Sequence, residues 1–300
     1  MKKLTIVLFV LTSCILASGQ KPNVKGPQFD ISDFNAKFET AQWLVEYDGV
    51  AWKTTDVLMQ QNEKDLERLG PEWFCFQDKD KIWHAVYGKL TQGRYEAVFH
   101  YVRGPGEKIT KSDTKIDQDF LNRHAIALST SREKLMTSIP ENSPRFNQYI
   151  RQNPDKTFSV WMLPAFQPDG TAVYGGEAVY TLDASGTKLI KDESYFQKNL
   201  RGFASQPPRE IWLNYTEMEK PSLGAIFFVW YYKSYFTQIL IDNVKTTSTV
   251  IGVGGNFVWT HVEKDANAKP SEQDDPKPRL ERKKPADRSK RPAKGILTTG

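Results

Sequence analysis

From residue 29 onward, apolar side chains recur every three or four positions, the spacing of one helix face. Phe34, Phe38, Ala41 and Leu44 form the first stripe, and Ser32 or Asp33 is placed to cap a helix running to about Glu46. Asp48-Gly49 reads as its break. A second helix is expected over residues 56–69, where Gly70-Pro71 is a strong stop signal. The period then falls to two. Residues 73–77, 82–90 and 95–103 predict an antiparallel meander, separated by Asp78-Lys79-Asp80-Lys81 and by Thr91-Gln92-Gly93-Arg94.

Helical spacing returns over residues 117–128. Thr130-Ser131-Arg132-Glu133 has the form of a capping box opening a short helix that Pro140 closes, and Ser143-Pro144 supplies a cap and first-turn proline for another, to about Arg151. Strands are expected at 157–163, 176–182 and 187–191, the last two joined by the turn Asp183-Ala184-Ser185-Gly186. A strand over 210–215 precedes a helix from Pro221 to about Tyr232. Further strands come at 236–241, 247–252 and 256–262, the last two meeting at Gly254-Gly255. Helices packed on a mainly antiparallel sheet make the fold class α+β, in two segments, 29–110 and 111–262.

The ends read differently. Met1-Lys2-Lys3 and the apolar run 4–10 form the charged start and greasy middle of an export signal over residues 1–19. Small residues at Ala17 and Gly19 favour cleavage before Gln20. Leu11-Thr12-Ser13-Cys14 offers the alternative, a lipoprotein anchored at Cys14. No later stretch is long enough to cross a bilayer as a helix. Residues 263–300 have no aromatic side chain but many Pro, Lys, Arg and Asp, the composition of a disordered tail. From residue 264 that tail carries 11 basic and 6 acidic side chains, as much charge as the chain's whole net of +5. The body is therefore close to neutral, which argues against a nucleic-acid surface spread over it.

Two cysteines exclude a disulfide-stapled scaffold, and four scattered histidines contain no His-x-His or His-Glu-x-x-His. No Gly-x-Ser-x-Gly elbow is present. Gly252-Val253-Gly254-Gly255-Asn256 lies between strands and reads as a hairpin turn.

The run EIWLNYTEMEKPSLGAIFFVWYYKSYFTQILIDN, residues 210–243, is laid out as strand, polar loop, helix and strand. In this it resembles the core of the MPN/JAMM metalloprotease family, whose motif is His-x-His, a serine about eight residues on and an aspartate three later. Aligned on Ser222, the two histidine positions hold Trp212 and Asn214, and Ala225 stands at the aspartate. The resemblance implies an MPN-like C-terminal half without metal, because Trp, Asn and Ala do not form a competent zinc set. The family's general base is a glutamate on an earlier strand. Glu177, after Gly175-Gly176, is the best carboxylate to place beside the motif region.

One further constellation is the pair Cys75 and His84. If Asp78–Lys81 is a four-residue loop, Gln77 faces Ile82 and Cys75 sits opposite His84, within about 5 Å at Cβ. That is the minimum for a cysteine nucleophile. The same register puts Trp73, Val86, Phe99 and Tyr101 around the pair, which makes a packed, inert thiol the competing reading, and it puts His100 on the opposite face. His124 falls on a helix and His261 ends the last strand.

The expected function is an exported, non-catalytic binding or interaction module, periplasmic or secreted, with no cofactor and no metal. The alternative is an exported hydrolase, metal-dependent or using Cys75 and His84, with Glu177 as a further candidate. The eight tryptophans also admit a sugar-binding surface. The partner expected for the tail is an anionic cell-envelope surface. Its contacts would be Arg279, Arg282, Lys283, Lys284, Arg288, Lys290, Arg291 and Lys294, opposed only by Glu281 and Asp287.

Overall fold

A single long helix, α1 (Ile31–Leu58), opens the fold. Asp30 caps it, its side chain accepting from the Asp33 amide, so the cap lies two residues before the expected start. The computed structural model describes residues 29–140, 143–204 and 209–264. Asp48-Gly49 does not break α1, contrary to the sequence expectation. A mid-helix glycine costs about 1 kcal/mol. That penalty is outweighed by the apolar stripe through Ala41, Leu44, Tyr47, Ala51 and Leu58, which is buried along its whole length. The second expected helix is reduced to a single turn, α2 (Glu63–Leu66), capped by Asn62.

The meander is present as β1 (Trp73–Gln77), β2 (Trp83–Thr91) and β3 (Arg94–Arg103), extended by a short β4 (Ile109–Lys111), all antiparallel. Its two faces are both covered. Cys75, Ala85, Tyr87, Phe99 and Tyr101 belong to the core cluster that includes α1. Phe74, Val86 and Tyr95 belong to a second cluster with α3 (Gln118–Ser138).

Helix α3 runs unbroken through the expected capping box. Leu121, Ala125, Leu128 and Leu135 form one buried stripe with Ser131 inside it. A capping sequence acts only where helix amides lack partners, and those of residues 130–133 are already within the ladder. The segment expected as a third helix is instead β5 (Phe146–Gln152), paired along its length with β6 (Phe158–Pro164). Tyr149 enters one core cluster and its neighbour Ile150 the other. Two-sided burial of adjacent residues suits a strand, and it hides the alternation that would have betrayed one.

β6 pairs with β7 (Thr171–Leu182), which pairs with β8 (Leu189–Asp192) over one end and β9 (Tyr195–Ala204) over the other. The third sheet contains β10 (Arg209–Tyr215), β11 (Phe236–Asn243), β12 (Thr246–Val253) and β13 (Asn256–Glu263). β10 and β11 are parallel and joined through α4 (Leu223–Tyr232), and the other pairings are antiparallel. Gly254 and Gly255, both with positive φ, make the β12–β13 turn. The fold is α+β, as expected.

The chain divides into a compact unit ending at Glu263 and the segment Lys264–Gly300. The expected export signal, Cys14 and the basic residues from Arg279 to Lys294 lie outside the described residues. Among the described residues, no helix is long and apolar enough to cross a membrane.

Candidate functional site

The sequence-derived candidates separate into one group that does not assemble and one pair that does. Cys75 and His84 are not opposite one another: Cys75 pairs with Ala85, and His84 pairs with Phe76. The hairpin loop is one residue longer than expected, running 78–82. The Asp78 amide donates to the Ile82 carbonyl at 3.0 Å, and Asp78 Oδ1 accepts from the amides of Asp80 and Ile82, both at 2.9 Å. Lys81 turns the chain with φ 62°. A one-residue slip sends alternate side chains to opposite faces. Cys75 is consequently enclosed beside Tyr47, whose hydroxyl accepts from the Cys75 amide at 2.8 Å. Burial, and secondarily the charge of Asp48, pushes its thiol well above the usual range, so it is a poor nucleophile.

His84 instead meets His100, which the expected register places on the other face. Their Nδ1 and Nε2 atoms are 2.8 Å apart, and His84 Nε2 lies 3.3 Å from Asp78 Oδ2. Burial, with the neighbouring His84, lowers the His100 pKa. His124 is packed between aromatic rings, and its Nδ1–H donates to the Phe120 carbonyl at 2.8 Å. Burial takes its pKa to about 4, so it is neutral at pH 7. Among the described residues, no three of His, Cys, Asp and Glu are grouped to hold a metal ion.

Glu177 and Ser222 do come together. Ser222 caps α4, accepting from the Ala225 amide at 3.1 Å while its hydroxyl donates to Glu177 Oε2 at 3.0 Å. The Gly224 amide donates to the same oxygen. Glu177 is fully buried on β7, and burial raises its pKa to about 7 against the lowering effect of these donors. The other motif-matched positions are spread out. Ala225 is enclosed on α4, whereas Trp212, 56% exposed, and Asn214 alternate with inward-facing Leu213 and Tyr215 onto the outer face of β10.

A cleft of about 170 Å³, absent from the sequence expectations, lies where α1, β5 and α4 meet. Asp48, Trp52 and Thr55 of α1 line it with Trp73, Asn147, Tyr149, Phe166, Phe227, Tyr231 and Tyr232. Asp48 is only 3% exposed. Its Oδ1 accepts from the Tyr149 hydroxyl at 2.8 Å and from the Asn147 amide at 3.1 Å. Its Oδ2 has no hydrogen-bond partner among the described residues. Burial dominates and raises the Asp48 pKa, although the Tyr231 hydroxyl and Trp52 indole are near enough to favour its ionised form without closing a normal hydrogen bond. A signal for this site existed. Positions 48, 52 and 55 share one helix face, which emerges once α1 is carried through Gly49.

The chain matches no known family model, curated protein or solved structure. The cleft's own geometry carries the functional reading. A concave, largely aromatic cleft with a few converging polar groups is the usual form of a small-ligand site. By contrast, the small cavity lined by Gly176 and Gly224, the neighbours of Glu177 on β7 and α4, is only about 10 Å³, too small for a substrate.

Proposed function

We propose that this chain is an exported, non-catalytic binding module that takes a small ligand into the cleft around Asp48. The observation carrying the reading is the unpartnered, buried Asp48 Oδ2 in an aromatic-lined opening. Trp52, 53% exposed, and Phe166, 39% exposed, are the lining aromatics most open to solvent. Large side chains left this exposed beside an opening are suited to covering an apolar ligand surface. The non-catalytic character rests on the separation of Cys75 from His84 and on the confinement of Glu177. In the same reading the basic tail holds the module near an anionic envelope surface by salt-sensitive attraction.

The resemblance to the MPN/JAMM core is supported by the parallel β10–α4–β11 unit and by the contact of Glu177 with Ser222. On that view the region is a scaffold whose metal positions have been lost, and ligand binding has moved to the other side of α4.

The test is tryptophan fluorescence of the mature protein titrated with a panel of sugars, amines, amino acids and small aromatics. A saturable change whose midpoint Trp52→Ala shifts severalfold to weaker binding and Cys75→Ala leaves intact supports the reading. Hydrolysis of ester, amide or glycoside substrates that disappears with His84→Ala or Glu177→Gln would replace it with the hydrolase. A panel with no saturable response would remove the cleft from consideration.

A further inference from the structure

Several polar groups of the Asp48 cleft are already committed. Asn147 and Tyr149 both serve Asp48 Oδ1, and the Thr55 hydroxyl is 3.1 Å from that of Tyr87. Asp48 Oδ2 is a buried carboxylate oxygen without a hydrogen bond. Among the described residues, no lysine or arginine lines the cleft. A buried carboxylate is poorly tolerated unless a cation or enough donors meet it; here the full hydrogen bonds go to one oxygen, and the Tyr231 hydroxyl and Trp52 indole approach the carboxylate without closing one. Around it stand aromatic rings, whose faces attract cations. Apolar walls with a single unmet negative group are complementary to a ligand that carries positive charge on an alkyl-covered centre. They suit a sugar less well, since its many hydroxyls need more partners than the few tyrosine hydroxyls and indole N–H groups of the lining offer.

We propose that the Asp48 cleft binds an organic ammonium head group, with the Asp48 carboxylate as counter-ion and the rings of Trp52, Trp73, Phe166 and Tyr231 around the alkyl substituents. The inference rests on the reading of this cleft as a binding site and adds the chemical class. At about 170 Å³ the cleft suits a compact head group better than a chain of residues.

Choline and 3,3-dimethylbutan-1-ol separate charge from shape, since the second replaces the quaternary nitrogen by carbon. Calorimetric titration of the mature protein should show choline binding and no comparable binding of the alcohol. Asp48→Asn keeps the side-chain shape and should weaken choline about thirtyfold or more, the loss expected on removing one partner of a buried charge pair. Trp52→Ala, at the exposed rim, should weaken it severalfold. Both variants should melt within a few degrees of the parent, which separates lost recognition from lost folding. Equal binding of choline and the alcohol, choline binding indifferent to Asp48→Asn, or no choline binding would each overturn the ammonium assignment. N-acetylglucosamine serves as the third probe. If it or the alcohol binds with sensitivity to Trp52→Ala while choline does not, the cleft stands as a binding site and only the ligand class falls. If the wider panel also fails, the reading beneath it falls too.

Discussion

The Ser222 hydroxyl donates to the Glu177 carboxylate at 3.0 Å while itself capping α4, so one side chain links β7 to the start of the helix between β10 and β11. The carboxylate meets the positive end of α4, which favours its charge, but it is fully buried, and burial is the larger effect. The groups that act on it electrostatically are few. Lys37 of α1 lowers its pKa, while Tyr215 and Tyr195, already raised by burial, are raised further by its charge.

This relationship sets a pH dependence of stability. The folded-state pKa of Glu177 is about 7, above its ordinary value of 4.5. Its contribution is therefore fully present below about pH 4.5 and lost as pH rises through 7. The difference is on the order of 3 kcal/mol. Glu177→Gln keeps an acceptor for Ser222 and Gly224 and does not titrate. Thermal melts from pH 4.5 to 8.5 should show the parent losing stability relative to Glu177→Gln as pH rises. Parallel curves would show that Glu177 is not the group responsible.

Gly224 is required by close approach rather than by backbone conformation. A Cβ at this position would collide with the Glu177 carboxyl, which is held by its own hydrogen bonds. Gly224→Ala should cost about 1–3 kcal/mol, the usual penalty for overpacking. The double variant Gly224→Ala with Glu177→Ala should recover part of it. Denaturant midpoints measure both, and a neutral single substitution would refute the close contact.

Cys75 should be chemically silent in the folded protein. It is fully buried and its thiol pKa is raised by that burial. Iodoacetamide should leave it unmodified until denaturant is added, as peptide mass mapping would report. Rapid modification under native conditions, at a rate like that of a free thiol, would restore it as a candidate nucleophile.

Export and attachment are tested on the whole chain. Intact mass of protein recovered from a Gram-negative host should begin at Gln20, and an acylated Cys14 would identify the lipoprotein instead. The mature protein should bind anionic vesicles at low salt and release them as salt rises, with about 1 kcal/mol contributed per cation near the surface. Ending the chain at Lys264 should abolish that binding and leave the melting temperature nearly unchanged. Equal binding by both versions would assign attachment to the body.

The order of residues specified elements whose pattern was bounded by clear breaks, but not the continuity of α1 and α3, whose buried stripes ran through apparent stops. The strands at 210–215, 236–241 and 247–252, and helix α4 after Pro221, were legible because alternation or an apolar run was bounded by clear breaks. The α+β class came from them. Two strands were not legible: β5 sends Tyr149 and Ile150 into different clusters, and β9 has no clean alternation and is held by its pairing with β7. The sites were settled by packing between distant segments. One extra loop residue at 78–82 parted Cys75 from His84 and joined His84 to His100. Burial carried α1 past Gly49, turning an apparent helix breaker, Asp48, into the floor of an aromatic cleft. Local propensities at such points amount to about 1 kcal/mol, and the burial of a whole helix face or the pairing of a strand exceeds that severalfold.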